Sequence, residues 1–223
     1  MTTRLKRRGR RLVRAVVLLV CGVAGPAFAD ALPGQAPASD DPADHPFVVP
    51  QHDVDVLYAV PVPASVMPPS GSGPEQIAGF VRQRMRFSVA LQRQRVDPPG
   101  PGTYMITDYA SRHLIMVQPQ QRLATTVPAP GGPIAAPGAR ATGQYRRLGA
   151  QTVAGLACTD WSTRDDSGNE SVVCLTPDGV LLRANQGGHL LVQAVSAAFL
   201  PQDQAVFEVP DGYRLQQPPN AAR

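Results

Sequence analysis

The chain has 223 residues, among them 21 Lys or Arg against 17 Asp or Glu, 24 prolines, 20 glycines and three cysteines. Seven of the basic residues, from Arg4 to Arg14, stand in an N-terminal leader with no acid among them, so residues 30–223 carry 14 arginines against 17 acids, net −3. The basic excess therefore belongs to the leader and excludes the nucleic-acid reading, which needs a clustered basic face in the folded part. Beyond Lys6 there is no lysine, which excludes a lysine nucleophile there.

After the basic stretch comes an apolar run from Ala15 to Ala24, then Ala27-Phe28-Ala29. This is the layout of a secretory signal peptide cut after Ala29, small residues occupying the −3 and −1 positions. An uncleaved anchor competes with it, but the run is nearer ten residues than the roughly twenty a span needs, and Gly22, Gly25 and Pro26 interrupt it. Cys21 as a lipidation site needs a small residue before it, and Val20 stands there. The paired arginines lack the flanking residues of a twin-arginine signal. The expectation is export to the periplasm with no stable membrane span after cleavage.

Residues 30–50 are rich in Pro, Ala and Asp and poor in apolar residues. Too little surface can be buried there to offset the ordering entropy, which predicts a disordered spacer. Residues 216–223 read the same way as a tail. The β domain is expected over residues 51–215, long enough for one substantial core.

From Gln51 onward the apolar residues recur every second position, which is strand spacing. Val54, Val56, Tyr58 and Val60 fall on one side; Met85, Phe87, Val89 and Leu91 alternate with polar or small residues. TYMITDY and HLIMVQP make two strands joined across Ala110-Ser111-Arg112, and Gly187-Gly188 between two apolar runs is a two-residue hairpin signal. Helix is expected only as a turn or two between Ile77 and Gln83. Proline runs between Pro61 and Pro74, Pro98 and Pro101, and Pro128 and Pro137 read as loops. The fold class is mainly β: a single curved antiparallel sheet or half-barrel with Pro-rich loops and little helix.

Cys158 and Cys174 lie equidistant from Asp166, so a hairpin tip centred there puts them directly opposite each other. Zinc takes four ligands at close spacing, and no third or fourth Cys or His lies nearby. A redox pair calls for CxxC at a helix start, which is absent. A structural disulfide needs only two partners and an oxidising compartment, and export supplies the compartment. Trp161 falls on the opposite face of that strand, with Ala157 and Thr159.

Other groups have ordinary readings beside functional ones. His52 with Asp53 and Asp55 could hold a metal, but alternating polar residues usually mark a solvated face, and no metal is expected. Arg82, Arg84 and Arg86 share one strand face; they read either as a site for an anionic head group or as a wet face with cross-strand ion pairs. GxSxG, Walker, Rossmann and HExxH patterns do not occur. The runs Val180 to Ala184 and Leu190 to Phe199 are apolar on both faces, Leu190, Val192 and Ala194 falling on one and Leu191, Val195 and Phe199 on the other, as in strands covered on both sides, by core on one and by a lid or ligand on the other.

The order DVDVLY, MRF, YMITDYASRHLIMV, VAGLACTDW, VCLTPDGVLLR and FEVPDGY resembles uncharacterised exported proteins of α-proteobacteria, a domain-of-unknown-function group. That group is similar in fold to the LolA/LolB-like half-barrel superfamily of periplasmic lipoprotein carriers and receptors. The resemblance spans roughly His52 to Tyr213, and its most specific part is the stretch from VAGLACTDW to DGVLLR. It implies a concave apolar face that holds acyl chains, although those carriers close it with helical lids and this chain has almost no helix.

The expected function is accordingly that of a non-catalytic, cofactor-free monomer binding a lipid or lipoprotein acyl chain on a concave sheet face. Met85, Phe87, Trp161, Leu182, Leu191 and Phe199 are the candidate contacts, with Arg84 and Arg183 at the rim for a head group. Two alternatives stand: a structural envelope protein without a ligand, and a hydrolase built on an unrecognised carboxylate or histidine centre.

Overall fold

A computed structural model describes residues 44–62, 76–77, 79–99, 102–129, 138–165 and 167–217; the leader with Ala29 and the first part of the expected spacer lie outside them. The strands are β1 (Val54–Pro61), β2 (Gln76–Ile77), β3 (Phe80–Ser88), β4 (Arg93–Asp97), β5 (Tyr104–Asp108), β6 (His113–Gln118) and β7 (Leu123–Pro128). They continue with β8 (Tyr145–Val153), β9 (Leu156–Arg164), β10 (Glu170–Leu175), β11 (Leu181–Gln186), β12 (His189–Phe199) and β13 (Arg214–Gln216). Single 3-10 turns stand at Pro119–Gln121 and Gln204–Phe207.

All strands belong to one sheet, in the order β13-β7-β6-β5-β4-β3-β1-β12-β11-β10-β9-β8, with β2 beside β3. The sheet is mainly antiparallel and open, not closed into a barrel. Its curl shows where β12 touches β8 across three intervening strands. One pair is parallel, β13 on β7. Gln216, counted with the expected tail, is strand: Arg214 N–H donates to Arg122 O at 2.8 Å and sets the chain down beside β7.

Alternation gives the sheet two cores. Val54, Val56, Tyr58, Met85 and Phe87 lie on one side of β1 and β3 and form a buried cluster with Val49, Val153, Cys158, Cys174, Val180, Leu182 and Ala194. On β5 to β7 the buried residues Tyr104, Ile106, Val117 and Ala124 face the other side. Val209 and Tyr213 pack there. Fully buried Phe207 belongs to the same segment, which Arg93 and Arg95 hold by donating to the carbonyls of Phe207 and Val206 at 3.3 and 2.9 Å. Asp53 ties this crossing in place, accepting from Val89 N–H at 2.7 Å and Gln202 N–H at 3.1 Å.

Four expectations need correction. Residues 80–83 are strand, not helix: Val81 faces Val60 and Phe80 faces Pro61, so the alternation of β3 simply runs on toward its N-terminus. The period-two run through Leu91 breaks at Ser88, which pairs with Arg93, leaving Val89–Gln92 as a four-residue turn with Gln92 at φ 50°. Residues 44–50 are not a spacer but a packed strap. His45 and Val49 are buried, Phe47 bridges to Arg140, and Gln51 N–H donates to Asp178 O at 2.9 Å. On β12, Phe199 shares a face with Ala194, because the strand carries an extra residue at Val195 between its pairs with Leu57 and Tyr58.

The Cys158–Cys174 disulfide is present, with Cα atoms 5.5 Å apart. Its cysteines are diagonal rather than opposite: Cys174 faces Asp160, and Thr159 faces Leu175. The tip is centred on Ser167, not Asp166. Asp165 fixes it by accepting from the N–H groups of Ser167 and Asn169 at 2.9 and 2.8 Å. Gly187-Gly188 makes the expected two-residue turn, both residues at positive φ (56° and 79°) and Gln186 opposite His189.

Candidate functional site: an open apolar cleft

The cleft is built by strands that adjoin in the sheet and by the strap. β1 contributes Tyr58 and Val60, β3 Gln83 and Met85, and β4 Gln94 and Val96. The opposite wall comes from Leu181 and Ala184 of β11 and from Leu191 and Val192 of β12, and Val48, Pro50 and Gly179 close one end. The space is about 430 Å³, a size typical of small-molecule sites, and none of the described residues that line it carries a charge.

Local irregularities aim these side chains. Leu191 is an extra residue in β12, since Val192 pairs with Ala184 while Leu190 pairs with Asn185. A bulge of this kind re-aims a side chain, and here the neighbours Leu191 and Val192 both reach the cleft. β11 has its own bulge at Leu182, between the pairs Cys174–Arg183 and Leu175–Leu181. Ala194 stands directly opposite Tyr58. Its small side chain leaves room for the phenol to extend past β12, where the hydroxyl donates to Leu181 O at 2.6 Å. Burial pushes the Tyr58 hydroxyl well above its ordinary pKa. Beside the cleft, the Tyr109 hydroxyl donates to Gln94 Oε1 at 3.1 Å, and burial pushes its pKa up to about 12. Both phenols are neutral at physiological pH, so the cleft stays uncharged.

Of the candidate contacts read from the sequence, the structure brings Met85 and Leu191 into the cleft. Phe87 and Leu182 are fully buried in the first core, Phe87 edge-on to Tyr109 with ring centroids 5.8 Å apart. Trp161 lies on β9 against Tyr145 at 6.5 Å and under the Arg147 guanidinium at 5.7 Å. Phe199 remains 42 % exposed at the end of β12, beside His52. Arg84 and Arg183 lie on the sheet face away from the cleft, Arg84 donating to Asp55 at 2.9 and 3.1 Å and Arg183 to Asp160 at 3.0 and 3.1 Å.

The arginine face is a ladder of ion pairs, most of them cross-strand, with Arg95–Asp97 within β4. Asp97 bridges Arg86 at 2.8 Å and Arg95 at 2.7 Å, and Arg93 meets Asp108 at 3.0 Å. Arg95 also stacks 3.6 Å above the Tyr104 ring. Burial pushes the Asp97 carboxyl up, but hydrogen bonds from Arg95 and Arg86 outweigh it, and its pKa ends below the ordinary aspartate value.

A second, polar hollow of about 320 Å³ lies at the far end of β9 and β10. There Ser162 Oγ donates to Glu170 Oε1 at 2.6 Å, with Arg146 and Arg164 each 3.8 Å from the carboxylate. The Ser162 hydrogen bond, aided by the two arginines, lowers the Glu170 pKa against its partial desolvation. His52 stands 3.4 Å from Asp178 with both side chains largely exposed. Both Asp53 oxygens are occupied by backbone N–H groups. Among the described residues no group of three or more His, Cys, Asp or Glu gathers as a metal set, and no helix is long and apolar enough to cross a membrane.

Of the described lining residues, sequence reasoning named only Met85 and Leu191 and missed the rest, apolar as well as polar. Tyr58 and Val60 carried a signal in the alternation of β1; Val48 and Pro50 carried none, because their segment has the composition of a linker.

No family model matches the chain, and no curated protein matches it. Among solved structures it is similar to an uncharacterized conserved protein from Thermus thermophilus, at 11 % identity and TM-score 0.49, over 75 % of this chain and 91 % of that one. MucB is similar at 12 % identity and TM-score 0.45, over 76 % of this chain and 61 % of that one. PNGF-II is similar at 10 % identity and TM-score 0.42, over 74 % of this chain and 31 % of that one. All three TM-scores lie below 0.5, a likeness that assigns this chain neither a family nor an activity.

Proposed function

We propose that this protein is an exported, periplasmic, non-catalytic binding protein whose cleft takes the acyl chain of a lipid or acylated envelope molecule. It acts as a monomer and needs no cofactor. The observation that carries the reading is the uncharged, mostly apolar lining of an open cleft of about 430 Å³ on one face of a single sheet. Apolar surface left open to water is costly, and a ligand that covers it binds through the area removed from water. The sequence resemblance to half-barrel lipoprotein carriers favours the same ligand class. The disulfide fits an oxidising compartment, as does the leader ending at Ala29.

Titration with a fluorescent fatty acid tests it, together with native mass spectrometry of protein purified from its own envelope. Leu191→Glu puts a charge at the mouth of the cleft from a side chain that is already 46 % exposed, so the fold tolerates it. We expect binding to weaken by about tenfold or more. Val195→Glu, in the same strand but outside the cleft, leaves binding unchanged. Absence of co-purifying lipid together with equal binding by Leu191→Glu and wild type would falsify the carrier reading and favour a structural envelope protein.

A further inference from the structure

We infer that the ligand is a long, unbranched aliphatic chain lying across the strands, and that its far end rests on Met105 and Met116 beyond the cleft. The inference deepens the acyl-binding reading and rests on it. The register places these residues. Met85 of β3 faces Val96 of β4, Val96 faces Met105 of β5, and Met105 faces Met116 of β6. Residues directly opposite in antiparallel strands share a face, and Met85 and Val96 line the cleft. The row therefore leaves the cleft and continues over two more strands on the same side. From Met85 to Met116 it crosses three strand spacings, roughly 14 Å.

A second row runs beside it through Gln94, Thr107, Leu114 and Val127. Tyr109 confirms the side, since it meets both Phe87 and Gln94. Strands β5 and β6 are thus apolar on both faces. Tyr104, Ile106 and Val117 use one face against Val209 and Tyr213. On the other face Met105, Leu114 and Met116 belong to neither buried cluster of the described residues, and Met116 is 36 % exposed. Strands with two apolar faces ask for cover on both. The arginines of β3 and β4 point to the opposite side, so among the described residues no charge interrupts the strip. Methionine is flexible and polarizable and adapts to a chain without fixed shape. A linear aliphatic ligand fits a strip this long, whose only polar neighbours among the strand residues named are the uncharged Gln94 and Thr107.

Competition of saturated fatty acids from octanoate to stearate against a fluorescent fatty acid tests the inference. In the wild type each added methylene tightens binding roughly fourfold (about 0.8 kcal/mol) until the chain reaches the end of the strip. Met116→Glu leaves octanoate binding unchanged but stops the gain at a shorter chain, and Met116→Leu restores it. Parallel chain-length curves for Met116→Glu and wild type overturn the inference while leaving the cleft reading intact. A lowered melting temperature, or a shift in oligomeric state, with unchanged chain-length curves also overturns it, because the strip is then covered by the chain itself or by a second copy. If no fatty acid of any length binds the wild type, the cleft reading fails first and this inference with it.

Discussion

Gly179 stands where two segments about 130 positions apart in sequence meet. A Cβ on it would lie 2.5 Å from Val49 O and 2.9 Å from Phe47 Cβ, and its φ is +81°. Gly188 has nearly the same φ, +79°, with nothing within 4 Å of such a Cβ. The pair separates two costs. Gly188→Ala meets only the left-handed backbone penalty of about 1–2 kcal/mol, while Gly179→Ala adds the displacement of the strap, a further ~1–3 kcal/mol. Urea unfolding of the two variants checks the difference, and equal losses would show that the strap yields freely. The turn role of Gly179 is legible in the TPDG stretch. The close approach is not, because nothing local in TPDG points to Val49.

The elements that alternate cleanly were legible and those that slip were not. Apart from the two ends of β3, which read as helix and as continued strand, β1, β3, β5 and β6 read correctly because period-two patterns assign both faces at once. β11 and β12 did not: bulges at Leu182, Leu191 and Val195 each move the following residues to the other face, and no residue type announces them. That is why Ala194 and Phe199 read as lying on opposite faces, although Phe199, paired with Val54, stands on the same side of the sheet as both Ala194 and Met85. The three strands β3, β4 and β5 also share a pH-dependent bond. In Asp108 burial pushes the pKa up, but hydrogen bonds from Ser111 and Arg93 outweigh it, so like Asp97 it ends below the ordinary value. A carboxylate with a lowered folded pKa contributes stability that is fully present above its unfolded value and is lost as pH falls through the folded one. The urea midpoint should therefore hold from neutrality to about pH 5 and decline below about pH 4. Asp97→Asn starts lower, because Arg86 and Arg95 then face each other without the shared carboxylate, and it declines less steeply. Parallel acid limbs for the two proteins would reassign the effect to other groups.

At the scale of the whole molecule, the covalent bond and the second core lie in different parts of the sheet. Cys158 and Cys174 sit in the cluster that includes the strap residue Val49, whereas the Phe207 crossing covers β5 to β7. The two cysteines are 16 positions apart, and closing a loop of that size is worth about 3 kcal/mol through the unfolded chain. Cys158→Ala with Cys174→Ala should lower the unfolding free energy by that amount, and a mass gain of two hydrogens on reduction should accompany loss of the bond. An unchanged urea midpoint would mean that the strap and core alone fix β9 on β10.

An open sheet also has two ends. Among the described residues β8 pairs only with β9 and β13 only with β7, so each presents an unsatisfied row of backbone donors and acceptors. Such a row is a template on which a second chain could grow. β13 is three residues long and offers little length for that. β8 is nine residues long, and it carries Arg146 and Arg147 next to an extra residue at Leu148, where the register to β9 slips. Like charges and a broken register make poor seeds for stacking. The longer edge of the sheet is therefore the one whose own sequence opposes strand-by-strand growth, so the curled sheet can stay unclosed without offering its longest edge as a template.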